Sequence, residues 1–282
     1  MSKQQESIGR TLLVALVMCL VCSVIVASAA VMLKPVQLTN KLLDKQRNIL
    51  VIAGLIQPDA SAQEVQRVFR ERIQPRLVDL DSGRFVEGGK AETFDPLQAA
   101  KDPAQSSALS GADDIASIRR REHRTVVYQV EGPQKQLETL ILPIRATLDL
   151  PVRGYGLWST LHGFIALKSD LNTVVGLGFY QHAETPGLGG EVDNPRWKAL
   201  WPGKKVFSDD GSKADIKIIK GSVDPSSPQA AHQVDGLAGA TLTSKGVDNL
   251  LHFWLGPKGF GPFIANLREG AQGSSQASTG GR

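Results

Sequence analysis

The sequence predicts an α+β fold, in which a single N-terminal transmembrane helix is followed by a domain built on an antiparallel sheet. Three observations support this prediction. The run from Thr11 to Leu33 is apolar and contains neither a charged residue nor a proline. Short apolar segments then alternate with turn signals, such as the one at 81–83, as they do in β-hairpins. Near the end of the chain, residues 247–255 place apolar side chains at helical spacing, which predicts a helix over 243–255.

The N-terminal apolar run is long enough to cross a bilayer. At about 1.5 Å per residue, residues 11–33 would span roughly 34 Å, against a hydrocarbon core of roughly 30 Å. A cleaved signal peptide is the alternative, and the small residues at 27–30 would suit cleavage, but its apolar region would be only about 7 to 15 residues long. The length therefore favours an uncleaved anchor. Basic residues lie on both sides of the run, so charge alone leaves its orientation open.

The composition of the chain is that of a globular protein. Of the 282 residues, 41% are apolar, and a net charge of +4 arises from 32 basic and 28 acidic residues. This near balance argues against nucleic acid as a partner. Both cysteines, Cys19 and Cys22, lie in the apolar run, which leaves the remainder without a disulfide or a cysteine metal site. No metal-ligand spacing and no catalytic Ser/His/Asp arrangement can be assigned.

Composition divides the chain into five regions. A short segment, 1–10, precedes the membrane helix at 11–33. Residues 34–143 form a membrane-proximal region of helices and strands. Residues 144–269 are richer in glycine and aromatic residues, and they contain the candidate functional residues. The Gly/Ser-rich tail at 270–282 is expected to be disordered.

Two amphipathic helices are predicted in the membrane-proximal region. The first starts after Pro35 and stops at Gly54. The second starts at a cap provided by either Asp59 or Ser61. Residues 88–117 are polar with little periodicity, which indicates a long surface loop, called here the surface excursion.

The stretch VDGLAGATLTS, residues 234–244, lies just before the apolar C-terminal helix. Gly236, Gly239 and Ala240 remove side-chain bulk at the helix start and leave its backbone N–H groups accessible. Helix N-termini attract phosphate, so a phosphate near Thr241 would be well placed. The alternative is a turn in which one of the hydroxyl side chains caps the helix, and local physics alone favours it. The glycine spacing matches neither a Walker loop nor a G-x-G-x-x-G fingerprint.

The residues of this stretch carry a resemblance to a known family. DGLAGAT, ending at Thr241, resembles the flavinylation motif D-x-x-(S/T)-G-A-T of membrane-anchored FMN-binding domains, with Ala238 where the motif has a hydroxyl residue. Together with GYGLW, HAETPGLGGE and the single span, it makes the chain similar to the C-subunit family of the sodium-translocating NADH:quinone oxidoreductase. The G subunit of the related ferredoxin-dependent complex is an alternative. Another is a non-redox assembly subunit in which Thr241 only caps the helix.

The resemblance implies that a separate flavin transferase joins FMN through its phosphate to the hydroxyl of Thr241. Such a covalent link holds the cofactor while leaving the flavin ring free to exchange electrons. Thr243 and Ser244 are then left as helix caps. The motif residues expected beside the phosphate are Asp235, Gly239 and Ala240.

Other flavin contacts are predicted by the same resemblance. In the family, the segment matching HAETPGLGG lies over the flavin, and GYGLW offers an apolar or stacking wall. A lysine after a predicted strand could reach the phosphate or a flavin carbonyl. Each prediction has a structural alternative, namely a rigid loop, a core aromatic residue or a solvated lysine. The residues concerned are Leu157, Trp158, Glu184, Thr185, Leu188, Gly189 and Lys220.

The resemblance also implies a cellular setting. The chain would be the electron-transfer subunit of a six-subunit complex that oxidises NADH, reduces ubiquinone and exports sodium. Its domain would face the periplasm, anchored in a bacterial inner membrane, with the other subunits as partners. Because the chain shows no dinucleotide fingerprint and only one span, we expect NADH, quinone and the ion pathway to belong to those partners.

Overall fold

A computed structural model of the chain describes residues 8–132, 136–149 and 158–279, with the backbone alone at 147–149, 158–159 and 271–279. The α-helices are α1 (Ile8–Ile52), α2 (Ala62–Arg72), α3 (Pro96–Lys101), α4 (Pro195–Lys198), α5 (Thr241–Leu255) and α6 (Gly261–Thr279). The strands are β1 (Ile73–Asp79), β2 (Arg84–Phe85), β3 (Ser106–Ala108), β4 (Arg120–Glu122), β5 (Arg124–Glu131), β6 (Leu137–Asp149), β7 (Trp158–Lys168), β8 (Val174–Gln181), β9 (Lys217–Ile219) and β10 (Gln233–Asp235).

Helix α1 is continuous, whereas the sequence predicted separate helices on either side of Pro35. A proline removes one backbone hydrogen bond, and the neighbouring residues here keep helical geometry around it. The helix ends at Ile52, just before the predicted stop at Gly54. Gly54 has φ +71, and the N–H of Leu55 donates to the carbonyl of Leu50 at 2.9 Å, which closes a Schellman motif. Within the described residues, α1 is the helix long and apolar enough to cross a membrane.

Six strands form one antiparallel sheet in the order β2-β1-β5-β6-β7-β8. The long pair formed by β6 and β7 is in continuous register from Thr139–Lys168 to Asp149–Trp158. Strands β9 and β10 form a separate parallel pair beside α5. This architecture confirms the predicted α+β class with an antiparallel sheet.

The face of the sheet that packs on α5 contains the main core. Val247, Leu250 and Leu251 of α5 are fully buried against it, and each such side chain contributes about 1.5–3 kcal/mol relative to an exposed position. The indole N–H of Trp254 donates to the carbonyl of Arg145 in β6 at 2.7 Å. This hydrogen bond fixes the C-terminal end of α5 on β6.

The opposite face of the sheet is covered by α2 and by the last turn of α1. Aromatic rings of Phe69, Tyr128 and Phe164 follow one another across this face at centroid distances of 6.2 and 5.8 Å. Gly176 has no room for a side chain, because a Cβ there would lie 2.5 Å from the carbonyl oxygen of Ile52. The sheet is therefore buried on both faces.

The predicted surface excursion at 88–117 contains short elements, including α3 and β3. Asp95 caps α3 by accepting from the N–H groups of Leu97 and Gln98. At the other end of the chain, the backbone of α6 continues to Thr279, into the segment 270–282 for which composition predicts disorder. A Gly/Ser-rich sequence lowers helix stability by tenths of a kcal/mol to about 1 kcal/mol per residue, and it does not forbid the helix.

The turn between β7 and β8 is closed by Asp170. Its carboxylate accepts from the N–H groups of Asn172 and Thr173 at 2.9 and 2.7 Å, from the Thr173 hydroxyl and from Nζ of Lys205. Burial would raise the pKa of Asp170, but the hydrogen bonds from Thr173 and the turn amides outweigh it and lower the pKa to about 2. The ionised carboxylate thus stabilises the hairpin.

We predict that Asp170→Asn destabilises the protein at neutral pH but not in strong acid. Because the folded pKa lies below the unfolded value of 3.8, the stabilisation is complete above about pH 4 and is lost as pH falls towards 2. After allowance for solvent screening, the difference should be about 1 kcal/mol at pH 7. Urea unfolding of both proteins in detergent at pH 7 and pH 2.5 measures it. An equal difference at both pH values would contradict this role.

Candidate functional site

Helix α5 starts at Thr241, two residues before the start expected from sequence. Its N-cap is Ala240, which has no side chain able to cap. Within the described residues, no protein group accepts a hydrogen bond from the N–H of Thr241, Leu242 or Thr243. The N–H of Ser244 is the first to bond inside the helix, to the carbonyl of Ala240 at 3.0 Å. The helix therefore presents three free donors and the positive end of its dipole.

The prediction that Thr243 and Ser244 cap this helix is wrong. Both residues lie inside the first turn, and their hydroxyls bond elsewhere. Ser244 Oγ accepts from the N–H of Leu237 at 2.9 Å, and Thr243 Oγ1 donates to Oε2 of Glu184 at 2.7 Å. The reason is the earlier helix start, which moves both side chains past the cap position.

Glycines shape the approach to the helix. Gly239 has φ +71, a left-handed conformation that side chains other than glycine adopt only with strain. At Gly236, a Cβ would collide with the carbonyl oxygen of Ile219 in β9. Both glycines are thus required by the local backbone, and they keep side chains away from the helix start.

A cavity of about 500 Å³ lies between the first turns of α5 and the end of the β9–β10 pair. This volume is within the usual range of ligand pockets, about 300–1,000 Å³. Four of the predicted site residues line it. They are Lys220, Asp235, Gly239 and Thr241.

The charges around the cavity favour an anion. Lys220 and Lys245 line it, and among the described residues neither side chain forms an ion pair or a hydrogen bond. The two carboxylates nearby are already engaged, because Asp235 accepts from the N–H of Val223 and Asp248 from that of Ile218, both at 2.8 Å. The open positive groups are therefore the two lysines and the helix amides.

Lys245 and Asp248 are residues of this cavity that sequence reasoning missed. Both could have been found by helical spacing, since they follow Thr241 by four and seven positions and so share its face. The motif drew attention only to the residues up to Thr241.

The loop that contains the other predicted contacts lies against the opposite face of the α5 start. Glu184 contacts Thr243, as described above, and Gly189 is buried beside them. The carbonyl of Thr185 accepts from the N–H groups of Leu188 and Gly190, which closes the loop on itself. Leu188 is 46% exposed and reaches back over Gly239, with Cδ2 3.2 Å from the position of a Cβ there.

A hydrogen bond and an ion pair, both to Asp193, hold the start of this loop. His182 Nε2 lies 2.6 Å from Oδ2 of Asp193, and Nζ of Lys198 lies 2.8 Å from Oδ1. Burial would raise the pKa of Asp193, but hydrogen bonds from Lys198 and His182 outweigh it, and the pKa is lowered. The carboxylate therefore stays ionised and anchors His182 at neutral pH.

Two predicted contacts cannot be placed at the site. Leu157 lies outside the described residues, and Trp158 is described by its backbone alone, as the first residue of β7. Ala240 is buried at the N-cap of α5. Within the described residues, no group of three or more His, Cys, Asp or Glu side chains is arranged to hold a metal ion.

Comparison with known proteins identifies the family. A family model described as "FMN-binding domain" matches residues 156–256. The C subunit of the Na(+)-translocating NADH-quinone reductase of Pseudomonas aeruginosa is 65% identical over 94% of this chain and 98% of its own length. The chain belongs to the C-subunit family of the Na(+)-translocating NADH-quinone reductases. A second family member, from Yersinia pestis, is 52% identical over 95% of this chain and 96% of its own length.

Solved structures of the family share the fold. The crystal structure of Shewanella oneidensis NqrC superposes with a TM-score of 0.69 at 32% identity, covering 79% of this chain and 96% of that one. The C subunit from Parabacteroides distasonis gives a TM-score of 0.58 at 30% identity, covering 82% and 96%. The predicted family, fold class and FMN-binding domain are thus confirmed. The named relatives are C subunits, which favours that family over the G-subunit alternative.

Proposed function

We propose that the chain is the electron-transfer subunit of a sodium-translocating NADH:quinone oxidoreductase and carries FMN in phosphoester linkage to Thr241. The observation that carries the proposal is the exposed Thr241 at the first position of an uncapped helix, beside a cavity lined by Lys220 and Lys245. Membership of the C-subunit family and the FMN-binding domain support the same assignment.

The residues present fit an FMN phosphate. The free N–H groups of the first α5 turn would donate to phosphate oxygens, as helix N-termini do for many anions. Lys220 and Lys245 would balance the remaining negative charge. Gly239 keeps the entrance clear of a side chain, so the phosphate could approach the backbone closely.

Attachment forms one bond between the Thr241 oxygen and the FMN phosphorus. The hydroxyl proton leaves, and a flavin transferase would supply an activated flavin nucleotide whose leaving group departs from phosphorus. The net change is threonine plus FMN minus one water. When bound, FMN supplies a ring able to accept and donate electrons, which the side chains of this domain do not provide.

The other predicted site residues would hold the cofactor in place and shield it from water. The loop containing Glu184, Thr185, Leu188 and Gly189 borders the helix start and would limit water access to the cofactor. Asp235 holds the turn at 220–223 through its bond to Val223 and so positions Lys220. We assign the flavin-binding region to 144–269, which contains the matched domain at 156–256.

The proposed setting follows from the family. Relatives are named as subunits of a Na(+)-translocating NADH-quinone reductase, so the partners would be the other members of a six-subunit complex. The apolar part of α1 fits a membrane anchor, and we place it in the bacterial inner membrane with the remaining domain in the periplasm. NADH oxidation, ubiquinone reduction and sodium transport would then take place with the partners.

Thr241→Ala should abolish covalent flavin. The full chain, coexpressed with its flavin transferase, is denatured and examined for in-gel fluorescence and for a peptide with FMN on Thr241. The matched control is Thr93→Ala, an exposed threonine far along the chain, which should keep the full signal. Covalent flavin that survives in Thr241→Ala would refute the site. A wild type without covalent flavin would instead favour the non-redox assembly protein.

The domain should be cleaved by protease in intact spheroplasts, because the proposed topology places it outside the inner membrane. Immunoblotting of the domain measures its loss, and a cytoplasmic protein that stays intact is the control. Cleavage that begins only after the inner membrane is ruptured would overturn the periplasmic assignment.

A further inference from the structure

The first turn of α5 contains two threonines, and the structure distinguishes them. Thr241 and Thr243 are two positions apart, which is about 200° around a helix, so their hydroxyls point to opposite sides. Thr241 is exposed and lines the cavity, whereas Thr243 is only 5% exposed. Both hydroxyl groups lie within one helical turn, but only that of Thr241 is accessible from the cavity.

Thr243 is engaged by the loop on the other side of the helix. Its Oγ1 donates to Oε2 of Glu184 at 2.7 Å, a bond between residues 59 positions apart in the chain. A hydrogen bond to a carboxylate is stronger than one between neutral groups. The Glu184 charge also lies next to the positive end of the helix dipole, which stabilises it.

Gly189 gives independent evidence that this contact is built into the fold. A Cβ at Gly189 would collide with the Glu184 carboxylate and would lie 2.5 Å from Oγ1 of Thr243. Gly189 is buried but does not have a left-handed φ. A glycine is therefore needed here because a side chain would not fit, and not because of the backbone conformation. The loop therefore leaves room specifically for this carboxylate and this hydroxyl.

The loop residue that supplies the carboxylate is itself held in place. The N–H of Glu184 donates to Nδ1 of His182 at 3.2 Å, and Nε2 of the same ring faces Asp193 at 2.6 Å. Because Nδ1 accepts, the ring proton sits on Nε2 and is donated to Asp193. Asp193 thus holds the His182 ring, the ring holds the backbone of Glu184, and the Glu184 carboxylate holds Thr243.

We propose that Glu184 is a positioning residue that makes Thr241 the single flavin acceptor, by holding the Thr243 hydroxyl against the 184–190 loop. The inference rests on the proposed function and extends it from the acceptor to the residue that selects it. It also changes the expected role of Glu184, which would act through Thr243 and not by touching the flavin. With Thr243 held, the first turn offers one hydroxyl to the cavity that Lys220 and Lys245 line.

Hydrogen exchange in the flavin-free full-length protein tests the contact without the cofactor. Glu184→Ala and Thr243→Val should each speed amide exchange in the 184–190 loop about tenfold, the factor expected for loss of a hydrogen bond to a charged group. Glu184→Gln retains an oxygen acceptor, so its exchange rates in this loop should stay within about twofold of those of the wild type. The control is Glu191→Gln, which removes a charge that bonds only to Asn194 among described residues. Unchanged exchange in both Glu184→Ala and Thr243→Val overturns the contact.

Peptide mass spectrometry after coexpression with the flavin transferase tests the selection. The wild type should carry flavin on Thr241 alone, and Glu184→Ala should place on the order of a tenth of its flavin on Thr243, in line with the loss of one charged hydrogen bond. Glu184→Gln and Glu191→Gln should label Thr241 alone. Flavin confined to Thr241 in Glu184→Ala overturns the selection. A wild type without flavin contradicts the proposed function. The hydrogen-exchange result then still shows whether Glu184 holds Thr243.

Discussion

The packing of α5 on the sheet is the constraint on which the site depends. Its apolar face, including Val247 and Leu250, is fully buried, and Trp254 bonds to the backbone of β6. In the middle of the helix, the carboxylate of Asp248 accepts from the N–H of Ile218 in β9, and near its start Oγ of Ser244 accepts from the N–H of Leu237. A helix fixed at both ends cannot rotate or slide without losing core contacts. Its N-terminus therefore occupies one position relative to the strands and loops around it.

That fixed helix start has two chemically different sides. On one side lie a cavity, Thr241 and two lysines without partners among the described residues. On the other side lies a loop whose carboxylate, from Glu184, takes the second hydroxyl of the turn. The free backbone donors lie at the helix end itself, because Ala240 at the N-cap cannot satisfy them. One turn of helix thus combines an exposed hydroxyl, free backbone donors and a second hydroxyl that is bound to the loop on the other side.

Much of this arrangement was predictable from sequence, and the exceptions have physical causes. The alternating apolar residues of the strands and the apolar positions at helical spacing in 247–255 are local sequence patterns. These patterns are sufficient to predict the sheet and α5. The helix start was expected two residues late, because a hydroxyl residue is a commoner N-cap than Ala240. The contact between Glu184 and Thr243 joins distant parts of the chain, so no local pattern reveals it. The continuity of α1 through Pro35 likewise depends on more than local preference, which favours a break there.

A crystal structure of the mature, flavin-bearing chain would show whether the first turn of α5 binds the phosphate of the attached flavin. We expect a phosphate ester on Thr241 whose oxygens lie about 3 Å from the N–H of Leu242 or Thr243. Nζ of Lys220 or Lys245 should lie within about 4 Å of the phosphate, on the cavity side. A phosphate directed into solvent, with the helix donors bound to water and both lysines remote, would contradict phosphate binding by this helix.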